Sequence, residues 1–262
     1  MSEANLVAVV SGKGGVGKTN IAVNLAVAAA RRGRRVLLID GDLGLSNVDV
    51  LLGLVPDGTL ADVLDERADL ASVLVRGPRG IDVLPAASGR SELAALAASD
   101  AARLVAGVVH FAADYDLALV DAAPGVGPLV VAFAAASARR ILVATPEPTS
   151  LADAYALAKL MSRDAGVAHV DLLVNAALHE REARATRERL ERMVERFLDL
   201  DLVAFGWLPQ DARLAEAVKL QRPVVDAFPA SAIARKLESL SAALEARLPM
   251  QADAAPGIGI PA

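Results

Sequence analysis

Gly12-Lys13-Gly14-Gly15-Val16-Gly17-Lys18-Thr19 is the stretch on which the reading of this chain turns. It fits G-x-x-x-x-G-K-[ST], and its flanks suit the purpose of that pattern. The apolar run 6–10 precedes it as a strand, and 21–30 carries a helical pattern away from it. Glycines let successive backbone N–H groups turn inward around phosphate oxygens, where a Cβ would obstruct them. The helix that opens there adds the positive end of its dipole. Lys18 is then placed to reach the β- and γ-phosphates of a nucleoside triphosphate, and the Thr19 hydroxyl to ligate Mg²⁺. Nucleotide contacts are expected from Gly12 through Asn20.

Outward from this loop, short β-branched runs alternate with helical stretches. Strands are expected at 6–10, 35–39, 81–84, 117–120, 140–144, 170–174 and 202–206. Helices are expected at 18–32, 100–112, 129–136, 151–163, 181–198, 211–220 and 231–247. That alternation predicts an α/β fold, a doubly wound and mostly parallel sheet with helices on both faces. Composition agrees: 54% of the 262 residues are hydrophobic but only 3% aromatic, as aliphatic strands buried on both sides require. No Pro/Ser-rich linker interrupts the series, so 1–248 reads as one nucleotide-binding domain and 249–262 as a small, Gly/Pro-rich mobile tail.

Composition also excludes. Without cysteine there are no disulfides, thiolate zinc sites or iron–sulfur clusters. A net charge of −5 argues against direct DNA binding by the surface as a whole. The longest apolar stretches fall well short of the ~20 residues a membrane span needs. The first five residues lack the basic start of a secretion signal, so a cytoplasmic protein is expected. His110, His169 and His179 show no metal spacing.

Acidic residues complete the constellation. Asp121 closes the run 117–120, where a carboxylate can hold a magnesium-bound water; a cap is its alternative role. Asp40 and Asp42 close 35–39 and lead into a glycine-containing loop. Asp40 is assigned with Thr19 and Asp121 to the metal, through water. Asp42 is the candidate for orienting the attacking water, with an Asx-turn as its alternative.

Lys13 is not required by the general pattern. With Lys18 it makes the form K-G-G-V-G-K-T, and here the chain resembles the MinD/ParA class of ATPases. The resemblance implies an ATP/ADP-bound, Mg²⁺-dependent, slow ATPase that is a homodimer with ATP and a monomer with ADP or without nucleotide. It also implies that Lys13 crosses the dimer interface to the partner's phosphates. Charge-assisted hydrogen bonds contribute about 1.5–3 kcal/mol each, so one or two per lysine across a two-fold sandwich supply roughly 3–12 kcal/mol. Turning a 1:99 equilibrium into 99:1 takes about 5.5 kcal/mol, so such bonds suffice for a switch.

Further blocks extend the likeness. The run Asp42-Leu43-Gly44-Leu45-Ser46-Asn47-Val48-Asp49 through Leu54 looks like a switch I. Gly77-Pro78, Val83-Leu84-Pro85-Ala86-Ala87-Ser88-Gly89, Glu147-Pro148-Thr149-Ser150 and Gln221-Arg222-Pro223 are similar to the FleN/FlhG branch of flagellar-number regulators. By that resemblance Asn175 contacts adenine through its amide, Pro209 and Asp211 flank the base, and the partner is a flagellar transcriptional activator under restraint. A flagellar signal-recognition-type GTPase is a second candidate partner, although the N-terminal extension some members use on it is not expected in a chain that enters its first strand so early. Switch II reads Asp121-Ala122-Ala123-Pro124-Gly125, where the branch commonly has Asp-Thr-Ala-Ala-Gly, and Pro124 stiffens it. Ile233, Leu237, Leu240 and Leu244 form an apolar stripe expected to pack on the sheet, and the tail lacks the basic, bulky composition of a membrane-docking helix; peripheral attachment at the membrane or pole is the alternative location. The alternatives are a cell-division or DNA-partitioning ATPase, a small-carboxylate ligase, which would have no use for Lys13, and a binder of ATP that does not turn it over.

Overall fold

The computed structural model describes residues 5–87 and 96–248. Readings made for residues 1–4, for Ser88-Gly89 and for the tail 249–262 lie outside the described residues. In chain order the elements are β1 (Leu6–Val10), α1 (Lys18–Arg31), β2 (Val36–Gly41), α2 (Val48–Leu52), α3 (Leu60–Leu64), β3 (Val75–Arg76), β4 (Asp82–Leu84), α4 (Ala98–Ala112) and β5 (Leu117–Ala122). They continue as α5 (Pro128–Ala136), β6 (Arg139–Ala144), α6 (Pro148–Ala165), β7 (His169–Ala177), α7 (Glu180–Phe197), β8 (Asp201–Pro209), α8 (Ala212–Lys219), α9 (Val224–Ala227) and α10 (Ala232–Arg247).

The aliphatic runs become strands because both of their faces are covered. β1 is fully buried along its length, and β2 and β5 nearly so. The sheet runs β3-β4-β2-β5-β1-β6-β7-β8, parallel throughout except for β3 against β4. On one face, side chains such as Val7, Val9, Leu38 and Leu119 pack with Ile21 and Leu25 of α1 and with Ile233, Leu237, Leu240 and Leu244 of α10. On the other, Ala8, Val10, Ile39 and Val120 pack with Val105 of α4, Phe133 of α5, Leu157 of α6 and Leu190 of α7. The α10 stripe therefore belongs to the core. Among the described residues no helix is long and apolar enough to cross a membrane.

Boundaries follow local chemistry. Pro128 and Pro148 open α5 and α6, where a missing N–H costs nothing. The Ser231 hydroxyl caps α10 by accepting from Ala234 N at 3.2 Å. β2 and β5 each run two residues beyond the predicted ends, so Asp40 and Asp121 lie inside paired strands, directly opposite each other. The short α2, α3, α9 and β3 were not predicted, since four or five residues hold too little periodicity to be read. Trp207 lies within β8 with the Lys236 ammonium 3.9 Å from its ring centre.

At the amino edge of the sheet the buried Asp171 of β7 gathers two arginines. Arg139 donates from Nε and Nη2 at 2.6 and 2.8 Å, and Arg247 from Nη1 at 3.0 Å, which ties the end of α10 to β6 and β7. Asp171 is the buried member and both guanidinium groups reach solvent, so Asp171→Ala loses charge-assisted hydrogen bonds without stranding a buried charge and should destabilise the fold by about 2 kcal/mol, read as a lower urea midpoint with unchanged m.

Candidate functional site: a phosphate loop with a base cleft

Four loops converge at the carboxyl edge of β1, β2, β5 and β7, beside the point where chain connections depart to opposite sides of β1. Parallel sheets bind their ligands in this crevice. The loop between β1 and α1 is held open by packing as well as by backbone freedom. Gly15 and Gly17 have φ of +77° and +91°, the left-handed region that glycine enters freely. A Cβ on Gly12 would lie 2.0 Å from the carbonyl oxygen of Asp153, and one on Gly17 would lie 2.5 Å from Nδ2 of Asn175. Ser11 braces the turn by donating to the carbonyl of Lys13 at 2.7 Å. Switch II is tied to the same loop, with Gly125 N donating to the Ser11 carbonyl at 2.9 Å.

Lys18 is buried at the first position of α1. Desolvation lowers its pKa, and the carboxylates of Asp121 and Asp42 oppose that shift. Asp121 is pushed up to about 7, first by burial and then by the charge of Asp40, with the Thr19 hydroxyl bond and Lys18 pulling the other way. Its Oδ1 is buried with no hydrogen-bond partner. A carboxylate strained toward protonation, with one orphaned oxygen and a threonine hydroxyl beside it, is an oxygen donor set suited to a hard divalent cation. Thr19 and Asp121 thus fit Mg²⁺.

Asp40 is tied to its own loop. Its Oδ1 accepts from Asp42 N at 3.1 Å; its Oδ2 accepts from Asn47 N at 3.0 Å, Val48 N at 3.1 Å and the Ser46 hydroxyl at 3.0 Å. Three of these donors meet Oδ2 and one meets Oδ1, so Asp40 clamps switch I and the start of α2 while Oδ1 keeps an acceptor position. Burial still raises its pKa to about 6 against those bonds. Asp42, half-buried at the mouth of the loop, has a raised pKa from desolvation, eased by the amides of Leu45 and Gly44 and by Lys18.

The structure brings the predicted base contacts together. A cleft of about 750 Å³ beside the loop is lined by Asn20, Asn175, Pro209, Asp211 and one face of α8. The Nδ2 of Asn175 donates to the carbonyl of Val16 at 2.7 Å, fastening the cleft to the phosphate loop. Asp211 caps α8, accepting from Arg213 N at 2.9 Å and Ile233 N at 3.3 Å, and so shapes the wall with its side chain as well as its backbone. Lys13 lies outside this cluster. Its ammonium sits 2.7 Å from Glu147 Oε2 and 3.1 Å from Thr149 Oγ1, at the surface. In the sequence Glu147, Thr149 and Ser46 stand out only as members of blocks of likeness; in the fold Ser46 lies 2.7 Å from Asp49 Oδ1 as well as bonding Asp40. The contact of Lys13 with Glu147, more than a hundred residues away, leaves no local signal.

Residues 7–224 match the family described as the CobQ/CobB/MinD/ParA nucleotide binding domain, and the chain belongs to that family. It is 45% identical over 246 residues to the antiactivator FleN of Pseudomonas aeruginosa, an alignment covering 91% of this chain and 88% of that protein. It is 28% identical over 243 residues to the flagellum site-determining protein YlxH of Helicobacter pylori, covering 92% and 82%. The septum site-determining protein MinD complexed with Mg-ADP, from Pyrococcus horikoshii OT3, superposes with a TM-score of 0.74 at 25% identity, over 93% of this chain and 99% of that one.

The glycine packing is testable without nucleotide. Gly12→Ala drives a methyl into the α6 backbone, so calorimetry should show a lower Tm and a cost of roughly 1–3 kcal/mol. Gly14→Ala meets only Pro124 at 3.9 Å and should leave the nucleotide-free Tm unchanged.

Proposed function

We propose that this chain is a Mg²⁺-dependent ATPase that works as a nucleotide-controlled dimerisation switch, regulating flagellar number or placement by restraining a flagellar transcriptional activator. The observation that carries this reading is the 45% identity to an antiactivator across 91% of the chain. The geometry supports it. Lys13 is held in its own subunit by an exposed ion pair, an interaction worth little in water. A partner's triphosphate offers stronger, charge-assisted bonds in its place. Leu45 and Val126 leave 64% and 48% of their surface exposed on the two switch loops, apolar area a second copy would cover. Loss of the γ-phosphate removes the acceptor for Lys13, and the dimer dissolves.

Within each site the backbone N–H groups of Gly14 through Thr19 surround the phosphates, and Lys18 balances charge as the γ-phosphoryl group leaves. Thr19 and Asp121 hold the metal, which supplies further neutralisation of phosphate charge. Asp42 orients the water in line, and its raised pKa suits a group that must accept a proton. Asp40 fixes the loop that carries Asp42. Adenine occupies the cleft lined by Asn20, Asn175, Pro209 and Asp211.

For the activator we assign the groove of about 560 Å³ between the start of α6 and α7. Arg189, Arg192 and Arg196 line it with Pro148, Leu151 and Phe197, which is 57% exposed. Three guanidinium groups around an apolar floor suit an acidic segment with a hydrophobic anchor. The first turn of α6 faces both this groove and Lys13, so docking there answers to the dimer state.

On size exclusion, the wild type should elute as a dimer with ATP and a monomer with ADP. Lys13→Ala should stay monomeric at saturating ATP, and Asp42→Ala should accumulate dimer while ATP is present; a dimer indifferent to Lys13→Ala refutes the switch. Arg192→Glu should weaken capture of an activator from the native cytoplasm by roughly tenfold while ATP-dependent dimerisation stays intact. Recovery of only division proteins or lipid by the wild type would overturn the flagellar assignment.

A further inference from the structure

Two blocks that sequence likeness singled out, the end of switch I and Gln221-Arg222-Pro223, touch in the fold. Gln221 sits just past the C-terminus of α8, with φ of +51°. Its N–H and that of Arg222 close the helix on the carbonyls of Val218 and Ala217, at 3.0 and 3.1 Å. Helices that end this way usually place glycine or asparagine at the left-handed position, because any larger side chain costs energy there. Gln221 keeps a long side chain, and that side chain is used. Its Nε2 donates at 2.8 Å to the carbonyl of Val50, an acceptor in the last turn of α2.

The receiving side is shaped for this contact. α2 ends at Gly53, itself left-handed at +64°, and a Cβ there would come within 3.3 Å of Gln221 Oε1 and 3.6 Å of its Cβ. α2 begins where Asp40 clamps Asn47 N and Val48 N, five residues after Asp42. α8 supplies Ala212, Leu214, Ala215, Val218 and Lys219 to the wall of the base cleft. One side-chain amide therefore joins the helix that lines the base cleft to the helix that follows the water-orienting loop.

We propose that Gln221 is a positioning residue that couples the base cleft to switch I, so that a base seated against α8 steadies α2 and, through it, Asp42. The proposal rests on the reading that adenine occupies this cleft. It assigns Gln221 no contact with nucleotide. Its loss should lower kcat by roughly 3- to 10-fold with KM nearly unchanged, the size of effect found for residues that transmit coupling.

Gln221→Gly and Gln221→Glu separate this role from a structural one. Glycine suits φ of +51° better than glutamine does, so Gln221→Gly should match or exceed the wild-type Tm and still show the fall in kcat. Gln221→Glu keeps the shape, removes the donor and places a carboxylate oxygen against a carbonyl; it should lose turnover similarly. Hydrogen exchange with adenosine as the probe reads the coupling without phosphates. In the wild type, saturating adenosine should slow exchange in peptides covering 212–220 and also in those covering 48–54; in Gln221→Gly only the first should respond. If adenosine protects 212–220 but leaves 48–54 unchanged in the wild type, or if Gln221→Gly turns over as the wild type does, the coupling is refuted. If adenosine fails to protect 212–220, it is the base-cleft reading beneath it that falls.

Discussion

A cation and two carboxylates are buried side by side at the carboxyl edge of the sheet, and the rest of the site is arranged around that fact. Lys18, Asp40 and Asp121 are each less than a tenth exposed. Burying a charge costs several kcal/mol unless partners replace water. Asp40 is compensated by four donors from its own loop, whereas Asp121 keeps an unpartnered oxygen and a carboxyl pushed up to about 7. The chain carries this unbalanced cluster because β1, β2 and β5 are anchored by aliphatic packing on both faces. A rigid, dry scaffold keeps the groups fixed, with the Asp121 oxygen left as an acceptor for a cation.

One short segment joins the phosphate loop to the arginine-rich groove. The segment from Glu147 to Asp153 meets the phosphate loop twice, through the Lys13 ion pair and through the backbone contact that only glycine at position 12 allows. The opposite side of the same turn lines the arginine-rich groove. Lys13 and the groove thus meet one short piece of chain, which under the proposed switch would connect the nucleotide to the partner. The link from α8 to α2 through Gln221 has the same character on the other side of the site.

The amino edge of the sheet is built differently. There the charges are matched: Asp171 holds Arg139 and Arg247, and Asp116 accepts the Arg35 backbone N–H at 2.7 Å. Paired charges hold the scaffold together at one edge, and at the other Asp121 keeps one buried oxygen without a partner.

Much of this was legible in the residues alone. Gly12 through Thr19 announce a phosphate cradle because only glycine and lysine chemistry serves that purpose, and aliphatic runs alternating with helical periods admit little besides a doubly wound sheet. Asp121 could be placed at a strand end, and Asn175, Pro209 and Asp211 could be assigned to the base by likeness. What tertiary structure alone decided was which partners each group meets. Asp40 and Asp121 look alike in sequence, each an acid after an aliphatic run, yet one accepts four bonds from its own loop and the other keeps an oxygen without a partner. Lys13 reads as a reaching lysine, but only the fold sets it against Glu147 and Thr149. Local chemistry fixes what a residue is able to do; which of those abilities is used depends on how a loop folds back on its own carboxylate, as at Asp40, or on contacts between segments far apart in the chain, as between Lys13 and Glu147.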